Sequence, residues 1–142
     1  MSTFIRAAIG PFAILIDANL VLEVCPAMTG EGNAAPLWRG VALPAVDGHE
    51  VFAVPDGKGE RTAIVLKGAA EVPFVLQVER VIGSRTVEEG AFQPLPHLPQ
   101  RVAALFDGVL WDESGRLGAL RLRRDVVPAE LAAILCGADG RL

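Results

Sequence analysis

A chain of 142 residues with 51% hydrophobic content has the size and apolar content of one ordinary domain with its own core. Thirteen Lys and Arg stand against 17 Asp and Glu, for a formal net charge of −4, and the basic residues are thinly spread apart from "RLRR" at residues 121 to 124, which argues against nucleic acid as a partner. Two cysteines far apart in sequence, Cys25 and Cys136, match neither a metal-ligand spacing nor a dense disulfide framework, and read as free thiols of a reducing compartment.

The opening "RAAIGPFAILIDA" imitates a secretion signal, with Arg6 ahead of a short apolar run. Gly10 and Pro11 break that run, Asp17 closes it and no small-x-small cleavage site follows, so the pattern predicts a strand, a turn and a second strand. No other segment reaches the ~18 uninterrupted apolar residues of a membrane helix, and a soluble, cytoplasmic protein is expected. A short helical turn is predicted at "DANLVLEV". Further strands are predicted in "GVALPAV", "EVFAV", "TAIVL", "VPFVLQV", "VAALFDGVLW" and "LGALRLR", all bounded by Gly, Pro or Asp and without a sustained 3.6-residue period. Asp, Ser and Gly in "WDESGRLG", residues 111 to 118, predict a hairpin loop. At the C-terminus Pro128 fits the first helical position, Val127, Leu131, Ile134 and Leu135 form one apolar stripe, and Gly137 can cap the end, so this segment reads as a helix.

A weak repeat runs through these elements. "TFIRAAIGPFAILI" and "TAIVLKGAAEVPFVLQV" both run Thr, apolar strand, Gly, then Pro-Phe and a second apolar strand. Two related hairpins predict two similar half-barrels. The polar, Gly-rich "VPDGKGER", residues 54 to 61, is the expected divide within a single domain spanning residues 1 to 142.

Candidate chemistry is sparse. "GEGNAA", residues 30 to 35, satisfies the Gly-x-Gly-x-x-Ala pattern of dinucleotide sites, but Pro36 blocks the helix that would meet the pyrophosphate and Pro26 interrupts the approach. None of Ser2, Ser84 and Ser114 sits in a nucleophile elbow. "DGHE" gathers Asp47, His49 and Glu50, yet Asp-Gly between two strand-like runs reads as a turn, and His97 lies isolated in "PLPHLP". A buried thiol is the commoner reading of Cys25 than a catalytic one. No metal, nucleotide or other cofactor is therefore expected, and no enzyme. Trp111, followed by a polar loop, reads as core with one exposed edge, whereas Trp38 beside Arg39 is balanced between core and partner anchor.

The order of elements resembles the CheW-like family, the chemotaxis coupling proteins that join receptors to a histidine kinase. "FIRAAIGPFAILIDANLVLEV" is similar to the family's first hairpin and following turn, with Val21, Glu23 and Val24 in its recurring apolar-x-Glu-apolar positions. "LWRGVALPAVDG" resembles the N-L-R-G motif leading into a V-x-P-V-V-D-L strand, with Leu37 in place of the Asn, Trp38 in place of the Leu and Gly48 after the strand's Asp. "TAIVLKGAAEVPFVLQVERVIGSRTVEEGAFQPLP" resembles the second-half signature, and "VAALFDGVLWDESGRLGALRLRRDVV" the closing hairpin. The resemblance implies a mainly β fold of two small five-stranded SH3-like barrels with a C-terminal helix, and a non-catalytic scaffold. Its implied partners are the regulatory domain of a histidine kinase and the cytoplasmic tip of a chemoreceptor. Val21, Glu23, Trp38, Arg39 and Gly40 become candidate partner-binding residues, with the Arg39 guanidinium expected to brace backbone carbonyls or a carboxylate beside the groove between barrels. Exposed strand edges predict self-association without a partner. The alternative is a small barrel that binds a small molecule, or performs modest chemistry, around Arg39, Asp47 and His49.

Overall fold

The computed structural model describes residues 1–26, 37–54 and 61–130. The chain is mainly β. Strands β1 (Ser2–Ile9) and β2 (Phe12–Asp17) form a hairpin, and β3 (Val21–Pro26) follows a single 3-10 turn over Ala18–Leu20, where a helical turn is expected. Next come β4 (Leu37–Trp38), β5 (Val41–Ala42), β6 (Ala45–Asp47) and a short helix α1 (Gly48–Phe52). The second half holds the hairpin β7 (Thr62–Lys67) and β8 (Pro73–Val78), then β9 (Arg80–Val87), α2 (Gln100–Leu105), β10 (Phe106–Trp111) and β11 (Leu117–Leu122). Residues 128–130 are helical; the rest of the expected C-terminal helix, including Leu131, Ile134, Leu135 and Gly137, lies outside the described residues, as do Cys136 and the "GEGNAA" stretch.

Two sheets carry the fold, in the orders β10-β11-β2-β1-β9 and β3-β7-β8-β6, and β4 and β5 make a small separate hairpin. In the first sheet Gln93, six residues beyond β9, exchanges backbone hydrogen bonds of 2.8 and 2.9 Å with Val109 of β10, and this one bridge closes the barrel while no strand among the described residues pairs the outer edge of β9 itself. The alternation of side chains along a strand lets each sheet serve two cores. Ile14, Ile16, Leu120 and Leu122 of the first sheet meet Ile64, Leu66, Phe74 and Leu76 of the second in one shared core. The intervening Leu15 and Ala119 join Phe4 and Val87 inside the first barrel, while Ala63, Val65 and Val75 pack with Leu43 on the far face of the second sheet.

The expected repeat is present as two hairpins, β1–β2 and β7–β8, each central to its own sheet. The sheets are nevertheless not the two halves of the chain. The strand after the first hairpin, β3, pairs with β7, and the strand after the second, β9, pairs with β1. Likewise β6 runs parallel to β8, and β11 parallel to β2. Each half therefore contributes a hairpin to one sheet and its later strands to the other, and a cut at residues 54 to 61 separates the repeats without separating the sheets.

Three local expectations are corrected. "EVFAV" is not a strand, and Asp47-Gly48 is not a hairpin turn: the Asp47 carboxylate accepts from the His49 N–H at 3.0 Å and caps α1. Glycine is required there by close approach, because a Cβ on Gly48 would lie 2.5 Å from Ile9 Cδ1 and 2.9 Å from the Gln77 carbonyl. The first part of "VAALFDGVLW" is α2, with buried Val102 and Leu105 three positions apart. Finally, β9 is absent from the strand expectations because four of its eight residues are polar and exposed and its apolar residues do not alternate.

An ion network ties the ends of the first sheet together. Arg121 pairs with Asp107 (2.8 Å) and Glu89 (2.9 Å), and Arg124 with Glu89 (2.7 Å) and Asp17 (2.9 Å). Desolvation opposes ionisation of Glu89, but the Ser2 hydroxyl and the guanidinium groups of Arg124 and Arg121 together lower its pKa. A carboxylate with a depressed folded-state pKa stabilises the fold above its unfolded value, and that contribution is lost as pH falls through the folded value. The melting-temperature gap between wild type and Glu89→Gln is therefore expected to be full near neutrality and to close in acid, below the ordinary Glu value of about 4.3. A gap that persists unchanged in acid would show that the pairs at Glu89 are not electrostatic in effect.

Candidate functional site

The candidate residues converge on the second sheet, unevenly. Trp38 and Val41 are paired across the β4–β5 hairpin, whose tip is Arg39-Gly40. Both tip residues have positive φ, 51° and 80°, the requirement of a two-residue turn that matches strand twist, and this is why a glycine follows the arginine. The Trp38 ring packs on the Leu43 cluster beside Cys25. Arg39 is exposed, with its Cζ 4.6 Å from the centre of the Trp38 ring. The guanidinium is thus held by an aromatic face; among the described residues it braces neither a carbonyl nor a carboxylate, contrary to expectation. The Trp38 Nε1 atom is buried without a hydrogen-bond partner among the described residues.

β3 is an edge strand of the same sheet. Its register against β7 shifts between Val21 and Glu23, so Leu22 bulges and the strand changes face. Val21 lies opposite Leu66 and packs on the shared core, while Glu23 lies opposite Val65, on the face covered by Trp38. Burial, and secondarily the Glu23 carboxylate, push the Cys25 thiol up, which keeps it protonated at neutral pH. Sequence reasoning missed the two apolar neighbours that are exposed here, Leu22 and Val24. Their signal was the run of non-alternating apolar residues around Glu23, which a bulged edge strand explains.

Asp47 and His49 offer little free chemistry. One Asp47 oxygen caps α1 and the other accepts from Arg61 at 2.7 Å. His49 is 2% exposed, its Nδ1 stands 3.6 Å from Asp47 and its Nε2 4.0 Å from Glu79, both beyond hydrogen-bond range. Among the described residues, no group of three or more His, Cys, Asp and Glu could hold a metal ion. Trp111 ends β10 with 43% of its surface exposed, more open than a core residue with one free edge.

Residues 15–128 match the model of the CheW-like domain. The fold is similar to the crystal structure of the scaffolding protein TtCheW from Thermoanaerobacter tengcongensis, with a TM-score of 0.70 at 16% identity over 87% of this chain and 90% of that one. No curated protein matches the chain in sequence.

Proposed function

Since the chain belongs to the CheW-like domain family, we propose that it is a non-catalytic adaptor of a bacterial chemosensory system, coupling chemoreceptors to a histidine kinase through protein–protein contacts. The family match over residues 15–128 carries this reading. Among the described residues no helix is long and apolar enough to cross a membrane, and the adaptor is proposed to work in the cytoplasm, where kinase and receptor tip are found together.

The surface proposed for partner contact is the β3 edge and the neighbouring hairpin tip. It offers Leu22 and Val24 on the β3 edge and Val41 beside the hairpin tip, exposed at 39%, 45% and 57%, with the charged Glu23 and Arg39 near them in the chain. Exposed apolar side chains with charges of both signs nearby have the makeup of a transient protein interface. Val21, half-buried against the shared core, supports this surface from below.

The test is co-precipitation with the regulatory domain of the cell's own chemosensory kinase and with its receptor tips, using wild type, Arg39→Ala and Arg39→Lys. Arg39→Ala removes a cation–π contact of about 0.5–1 kcal/mol at an exposed site, so the fold should hardly change while binding falls clearly. Arg39→Lys keeps the charge but loses the planar fork, and intermediate binding is expected. Failure of wild type to bind either partner would sink the adaptor reading. Wild-type affinity in both variants would remove Arg39 from the surface.

A further inference from the structure

β9 is built differently from the other outer strands. Residues 82–86 are exposed one after another, so this stretch of strand is open on both faces. It is also an end strand of the first sheet, with no strand pairing its outer edge among the described residues. The other sheet edges are guarded: β10 is bridged by Gln93, β6 is three residues long, and β3 is bulged and ends in Pro26. A free edge of this kind is a template for an added strand.

The charges along β9 indicate what kind of strand. In its register with β1, Gly83 lies opposite Arg6 and Arg85 opposite Phe4, so Arg6 and Arg85 sit diagonally on one face with Gly83 between them. A Cβ placed on Gly83 would meet nothing within 4 Å among the described residues, which leaves a notch between the positions of the two arginines. Neither arginine forms an ion pair among the described residues, and the Arg6 Nε is buried without a partner. Exposed Ile82 adds an apolar contact at one end. An acidic chain thus carries two cations without an ion-pair partner at this edge, exposed Arg85 on β9 and half-buried Arg6 on the neighbouring β1.

We propose that β9 receives an extended acidic segment of a partner protein, which adds as a further strand along residues 82–86. Its carboxylates, spaced two residues apart, face Arg6 and Arg85 across the Gly83 notch, and an apolar side chain rests beside Ile82. Main-chain hydrogen bonds supply the affinity in this mode of binding, and alternate side chains supply the choice of sequence. A second copy of this chain fits poorly, because antiparallel pairing of β9 with itself about Ser84 gathers Arg6 and Arg85 of both copies on one face, and like charges across a sheet repel.

The probe is a capped ten-residue peptide alternating Glu and Val, with a Lys and Val peptide as its control. The full chain should bind the Glu peptide, with affinity falling as salt rises, and with amide-exchange protection gained at residues 82–86. Arg85→Glu, on an exposed side chain, should weaken binding by roughly tenfold or more at an unchanged melting temperature, since a charge-assisted contact contributes on that scale. Arg6→Gln should weaken it in the same direction. Absence of binding, equal binding of the Lys peptide, indifference to Arg85→Glu, protection confined to other strands, or dimerisation of the free chain through β9 would each overturn the proposal.

Discussion

Cleaved between α1 and β7, the chain is expected to yield two fragments that are each unstructured alone and that recover a strand-rich fold on mixing. The reason is the exchange of strands between halves. Alone, the first fragment keeps the β1–β2 hairpin but loses β9 and β11 from its flanks, while β3 and β6 lose β7 and β8. An isolated hairpin is marginal in water, and the apolar side chains of the shared core would have nothing to cover them. Together the fragments restore all four inter-half pairings and the core between the sheets. Circular dichroism of each fragment and of the equimolar mixture is the measurement. A cooperative thermal transition in either fragment by itself would show that one half holds a sheet of its own, against the topology. The same interlocking predicts one unfolding transition for the intact chain, because neither sheet can melt without uncovering the core it shares with the other.

The second large effect is expected at Phe106. This side chain is fully buried in the shared core at the start of β10, and its ring centre lies 5.4 Å from that of Phe52, which in turn stacks on Phe12 at 4.6 Å. Those rings come from α1, β2 and β10, so the first sheet and a helix meet at this residue, inside the core that the two sheets share. Phe106→Ala should cost about 3–5 kcal/mol, the sum of lost transfer energy and the cavity left where neighbours cannot collapse. Against a total stability on the order of 5–15 kcal/mol, that is a large share, and the melting temperature should fall on the order of 10 °C. Trp111→Ala at the exposed end of the same strand is the control, expected to remain within about 0.5 kcal/mol of wild type. A similar shift for both variants would mean that strand propensity in β10, and not the shared core, sets stability.

Much of the architecture was legible in local pattern. The hairpins β1–β2 and β7–β8 announced themselves because each apolar run is bounded by Gly and Pro, and the loop at residues 112–116 because Asp112 accepts hydrogen bonds from the Ser114 and Arg116 N–H groups in the way its sequence predicts. The family resemblance, carried by motif order, pointed to the right fold. Two helices were not legible, since α1 and α2 have five and six residues, too few to display a period, and their apolar residues read equally well as strand. Nor was β9, whose exposed polar side chains lack the alternation that burial imposes on a strand.

Sequence alone thus determined which short segments pair with their immediate neighbours, because turn chemistry and alternation are properties of a few consecutive residues. It also marked Trp38, Arg39 and Gly40 as a distinctive cluster, although Gly40, expected to open a strand, sits in the turn between β4 and β5. Only the tertiary structure decided that β3 pairs with β7 and β9 with β1, since β strands of similar composition carry no local mark of a distant partner, and the choice is made by burying the faces that remain. The same holds for the surface. Val21 and Glu23 are two positions apart and by alternation should share a face, but a bulge at Leu22 sends one into the core and the other outward. The position of Arg39 was decided in the same way: its charge is visible in the sequence, whereas its place on the face of Trp38 depends on a turn that folds the guanidinium back over the ring.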